Sequence, residues 1–209
     1  MKKYLICLLA TVSSIYCTAQ TVPWTGSTSS SYFTTTNWNP VTNPAALAQT
    51  EIFMIGAGSP NNCIHSGGNA ANAYRPAKLN TLSGGNFTCN GTLYPWASDS
   101  LNGTVTINAP GDFSSRNIVY IGRSGSATIN INSGSLSSKN GMLIATGTTG
   151  ATATVTVSGT INVGGGGSNM DLSLANGTGL SAWLNINGGT VNIARNLLIG
   201  TDGHIFISG

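Results

Sequence analysis

The chain has 209 residues, of which only 6% are Asp, Glu, Lys or Arg and 40% are apolar. The apolar share excludes a disordered chain, while the low charge is unusual for an intracellular enzyme. The formal net charge of +3 falls to +1 once Lys2 and Lys3 are set apart with the N-terminal segment. That balance gives no footing for nucleic acid or acidic substrates.

Met1-Lys2-Lys3 forms a basic start, Tyr4 to Tyr16 is a mostly apolar run, and Cys17-Thr18-Ala19 places small residues before Gln20. Residues 1–19 therefore read as a secretory signal peptide, the apolar run being too short for a comfortable transmembrane span. A lipoprotein site at Cys17 is the weaker reading, because Ser14-Ile15-Tyr16 lacks the small residues expected directly before such a cysteine. The mature chain is expected outside the cell, secreted or at a bacterial surface, without a membrane span.

Residues 20–103 are expected to form an irregular N-terminal cap and first coil. Trp24, Tyr32, Phe33, Trp38, Phe53, Tyr74, Phe87, Tyr94 and Trp96 all fall here, with most of the prolines. A β-solenoid has an open apolar end that needs covering, and an aromatic-rich segment suits that role. Glu51-Ile52-Phe53-Met54-Ile55 and Asn86-Phe87-Thr88-Cys89 are expected to begin the coil. Trp24, Trp38, Tyr94 and Trp96 are also the candidates for stacking on sugar rings. With Cys7 and Cys17 in the signal, Cys63 and Cys89 remain as a pair in an oxidising compartment, where a disulfide is expected to stabilise the segment by about 3–4 kcal/mol. A metal site built on Cys63, His65 and Cys89 lacks a fourth ligand.

Residues 104–209 repeat. The apolar pairs Val105/Ile107, Ile129/Ile131, Val155/Val157, Leu184/Ile186 and Ile205/Ile207 have their second members 24, 26, 29 and 21 residues apart. A second strand follows with Leu136, Ile161/Val163 and Val191/Ile193. A third carries Val119/Ile121, Met142/Ile144, Leu172/Leu174 and Leu197/Ile199. Period-two alternation puts these residues on one face of each strand. Three apolar faces per turn are buried together only if the chain coils around them, each strand pairing in parallel with its copy in the next coil. Asn108, Asn132, Ser158, Asn187 and Ser208 share a column after the first strand and are expected to form a structural polar ladder. The repeat is interrupted at Ile205-Phe206-Ile207-Ser208-Gly209, so the coils are expected to continue in a longer protein.

Ile121-Gly122-Arg123-Ser124-Gly125-Ser126-Ala127-Thr128-Ile129-Asn130-Ile131 and Leu184-Asn185-Ile186-Asn187-Gly188-Gly189-Thr190-Val191-Asn192-Ile193 resemble the glycine-rich repeats of autotransporter passengers and PEP-CTERM-associated bacterial surface proteins. Trp24-Thr25-Gly26 with Asn37-Trp38 resembles the start common in such proteins. The resemblance spans about half of the mature chain and implies a right-handed parallel β-helix displayed outside a bacterial cell. It transfers no catalytic residue. The chain departs from the pattern where Ser replaces Gly in Arg123-Ser124-Gly125-Ser126 and where residues 176–181 lengthen a coil.

The fold class is thus all-β, and two functions stand side by side. One is a structural or adhesive surface solenoid contacting an extracellular glycan or surface protein. The other is the N-terminal part of a parallel β-helix polysaccharide lyase or glycosidase whose catalytic residues lie beyond Gly209. The acids Glu51, Asp99, Asp112, Asp171 and Asp202 share no column of the repeat, so no acid/base pair is expected here. Neither a cofactor nor a metal is expected: Gly166 to Asp171 departs from a calcium nonapeptide repeat, and Gly164 to Gly167 opens no helix. Arg195 and His204 have no evident partner in the sequence and read as solvated. The outward threonine row of the first strand is broken by Trp183 and ends at His204 and Phe206, too irregular to match a crystal lattice. Contact is expected along the second or third face, where Tyr120, Leu143 and Leu198 point outward beside Ser173.

Overall fold

A computed structural model describes residues 20–44, 52–66, 78–81, 84–95, 99–165 and 170–209. The signal segment, Glu51 and Trp96 lie outside them. The fold is a parallel β-helix of three sheets, with seven, five and eight strands. Among the described residues every strand pairing between coils is parallel.

The repeat register stands as the apolar columns require. Along the first-strand sheet Val105 pairs with Ile129, Ile129 with Val155, Val155 with Leu184 and Leu184 with Ile205. Phe113, Leu136, Ile161 and Val191 make the matching column of the second-strand sheet. Val119, Met142, Leu172 and Leu197 do so in the third. Ile107, Ile131 and Val157 are fully buried, as are Leu136, Ile144 and Leu174. The three faces close on one apolar core, and each coil also covers its neighbours.

The bend leaving the third strand needs a left-handed backbone. Gly122 supplies it at φ 64°, and a Cβ there would meet the Thr152 carbonyl oxygen at 2.7 Å. One and two coils on, Ala145 and Ala175 hold the same bend at φ 50° and 47°, conformations that disfavour an L side chain. At the first corner the expected polar ladder is present in part. Asn108 Nδ2 donates to Asn90 Oδ1 at 3.0 Å, Asn132 Nδ2 to Asn108 Oδ1 at 2.9 Å, and Ser208 Oγ to Asn187 Oδ1 at 3.0 Å.

The change at Thr104 is one of side chains, while the ladder itself runs through it. The eight-stranded sheet already contains Thr21–Pro23, Ile52–Met54, Lys78–Asn80 and Asp99–Leu101. Cys63–His65 and Gly85–Cys89 likewise extend the first-strand sheet. Strand alternation in these coils is short, so the repeat is harder to see, yet the backbone pairing is the same. Over this end sits an irregular loop with one 3₁₀ turn at Thr35–Asn37. Among the described residues no helix is long and apolar enough to cross a membrane.

Candidate functional site

Two of the tryptophans expected to stack on sugars, Trp24 and Trp38, are consumed by the core. Trp24 and Trp38 are 4% and 1% exposed, and their rings meet edge to face at 5.0 Å. Each indole N–H is satisfied inside the protein, Trp24 Nε1 donating to the Asn61 carbonyl and Trp38 Nε1 to that of Tyr32. Tyr32 extends the cluster to Trp38, Phe53, His65 and Phe87. Buried Asn37 folds the loop over them: its Oδ1 accepts from the Thr28 and Ser29 amides while its Nδ2 donates to Ser29 Oγ and the Ser31 carbonyl. These rings close the end of the core. Tyr94 is half-buried, its hydroxyl donating to Asp112 Oδ2 at 3.1 Å, and Trp96 lies outside the described residues.

The expected disulfide is also corrected. Cys63 and Cys89 are free thiols, both buried. The coil here advances 24 residues, so Cys63 pairs in register with Phe87, and Cys89 pairs with His65. The cysteines are one rung and two residues apart, roughly 8 Å between Cα atoms from strand geometry, beyond the span of a disulfide. Burial raises the Cys63 thiol well above its ordinary pKa and pushes Cys89 up to about 12. At such values the thiols are inert as nucleophiles or metal ligands. Burial likewise holds His65 down at about 4.

The described acids are dispersed. Asp99 is fully buried on the inward side of the third-strand sheet, accepts from the Leu79 amide at 2.7 Å, and is raised by burial to about 7. Asp112 opens a strand of the second-strand sheet and accepts from Tyr94 and Ser135. Asp171 precedes Leu172–Leu174 and lies 3.7 Å from Arg195 Nε, which corrects the expectation that Arg195 stands without a partner. Asp202 precedes Gly203–Ser208 of the first-strand sheet. Among the described residues no group of His, Cys, Asp or Glu could hold a metal ion.

What the fold gathers is a set of rings that the sequence presents only as interruptions. Trp183 and His204 are register partners on neighbouring strands, and their rings lie near-parallel at 5.9 Å and 19°. Phe206, two residues along on the same outward face, continues the row at 6.4 Å and 24° from His204. Alternation dictates this exposure, since Ala182 and Leu184 take the inward positions. Phe206 is 57% exposed. Asn185, register partner of Phe206, adds an amide beside the rings. A flat aromatic row edged by an amide suits the apolar face and the hydroxyls of a sugar. The signal was legible in the outward register of the last two coils, although a break in a threonine row does not announce a platform.

No protein-family model, no curated protein and no solved structure matches this chain.

Proposed function

We propose that this protein is an exported, surface-displayed β-solenoid with a structural or adhesive role, contacting glycans and performing no chemistry of its own. The observation that carries the reading is the outward aromatic row of Trp183, His204 and Phe206 on a rigid parallel sheet. Rings held in place by the backbone ladder meet a sugar with little conformational entropy left to lose. The reading of residues 1–19 as an export signal supports the location. The low charge and the Ser, Thr, Asn and Gly surface suit an extracellular solenoid.

Affinity electrophoresis through gels containing neutral soluble polysaccharides tests the contact. The protein is expected to be retarded by at least one of them, and Trp183→Ala and Phe206→Ala to abolish retardation with unchanged thermal melting. Unretarded migration through every gel, or retardation indifferent to both substitutions, would overturn the glycan contact.

A further inference from the structure

The outer face of the third-strand sheet carries one column running Asn80, Ser100, Tyr120, Leu143, Ser173 and Leu198. Two adjoining hollows follow it. The first, about 440 Å³, is lined by Lys78, Asn80, Ser100, Arg123, Ser124 and Thr148. It contains two cations and no carboxylate. Neither Lys78 nor Arg123 forms an ion pair among the described residues. The second, about 230 Å³, has Tyr120, Leu143 and Leu198 as apolar lining, with Asp171, Asn140 and Asn176 among its polar groups. Tyr120 stands between the two, and the Arg123 guanidinium carbon sits 4.5 Å from its ring centroid.

Each hollow has an unsatisfied polar atom among its lining residues. Asn80 is 8% exposed and Ser173 5%, yet Asn80 Oδ1 and Ser173 Oγ form no hydrogen bond. Both atoms are closed off from solvent, so they mark unpaired polar groups beneath the floor of the hollows and not contacts open to a ligand. Four rungs separate the two residues, roughly 19 Å along the axis.

We propose that this face is a binding groove for an acidic glycan, with its anionic group between Lys78 and Arg123 and its uncharged rings over Tyr120, Leu143 and Leu198. This rests on the glycan-contacting reading and adds a second site with a different ligand class. The cations call for an anion, while Tyr120, Leu143 and Leu198 offer an apolar surface that suits the uncharged faces of sugar rings. Cations line only one end, and at the other Asp171 is paired with Arg195, so the face lacks the continuous positive track that a uniform polyanion such as nucleic acid needs. An added peptide strand pairs through a sheet edge, whereas this groove lies on a sheet face.

An array of neutral, carboxylated and sulfated oligosaccharides, probed with the full chain, tests this. Binding to carboxylated or sulfated members is expected, weakened by added salt. Arg123→Gln and Lys78→Gln should each reduce it about tenfold or more. The exposed Arg123 variant is the control should Lys78→Gln disturb the fold, which thermal melting reports. Tyr120→Ala should weaken the same hits while leaving their salt dependence in place. Hits confined to neutral sugars, lost in Trp183→Ala and kept in Arg123→Gln, would overturn the groove while sparing the aromatic row. An array without hits would overturn both.

Discussion

At one end of the solenoid Tyr32 packs against Trp38, Phe53, His65 and Phe87, and solvent reaches almost none of these rings. In the last coils Trp183, His204 and Phe206 lie side by side on the outside of a sheet. Residue type does not distinguish the two sets, whereas backbone setting does. In the first set Tyr32 and Trp38 come from an irregular loop that can turn any side chain inward over an open core, while Phe53, His65 and Phe87 hold inward positions on short strands. The second comes from long regular strands, where alternation forces every other residue outward whatever its hydrophobicity. Aromatics in the loop and at inward strand positions therefore close the fold, and aromatics at outward strand positions are available to a partner.

The largest effect should come from charging the interior of the stack. Ile131→Asp buries an unpaired carboxylate at a fully enclosed position and should cost about 4 kcal/mol or more, abolishing the cooperative transition in urea. Ile207→Asp, the same substitution in the same column where the side chain is 79% exposed, should cost less than about 1 kcal/mol. Equal losses would mean that coils do not depend on the neighbours that cover them.

Trp38→Ala should remove about 3–5 kcal/mol by opening a cavity beneath the loop. Trp183→Ala on the outer row should stay within about 1 kcal/mol. Chemical denaturation of the pair sharpens the contrast directly, and a Trp183 variant as unstable as the Trp38 variant would break it.

Two buried groups oppose each other in their pH dependence. Asp99 is raised to about 7 when folded, so the folded state holds its proton more tightly than the unfolded chain. Its stabilising contribution is complete below about pH 4 and is lost as pH climbs to about 7. His65 is lowered to about 4, so its contribution is present above about pH 6.5 and is lost as pH falls toward 4. Asp99→Asn should therefore gain stability over the parent as pH rises from 4 to 7, by about 2–4 kcal/mol at the top of that window. The remaining His65 slope should then raise the variant's melting temperature between pH 4 and 6.5. Parallel melting-temperature profiles for parent and variant would remove Asp99 from the account.

The smallest expected effect is a null one. In the chain from Gln20 onward, reductant should change neither mass nor melting temperature, and both thiols should alkylate only in denaturant. An adduct-free protein that loses two hydrogens in the native state would restore a Cys63–Cys89 bond.

The repeat register was legible because it is written locally. Val105, Ile129, Val155 and Leu184 alternate with polar neighbours, and a parallel ladder can align them in only one way without turning the apolar set outward. The cysteines were misleading for a related reason. Their spacing of 26 residues is close to the coil length of 24, and only the register shows that the difference sets Cys63 against Phe87. The Arg195–Asp171 pair joins a corner of one coil to the corner of the next, a proximity that no spacing motif encodes.

By itself the sequence determined the architecture. Period-two alternation, small corner residues and the recurrence of three apolar strands leave a stacked parallel coil as the way to bury every apolar face. Only the tertiary structure decided which aromatics are hidden, that two cysteines stand apart, and that Lys78 and Arg123 join the face of Tyr120 and Ser173. Those outcomes depend on positions in successive coils, distant along the chain and about 4.8 Å apart per rung in space. A one-residue change in coil length redistributes them all while leaving the local pattern of each strand unchanged.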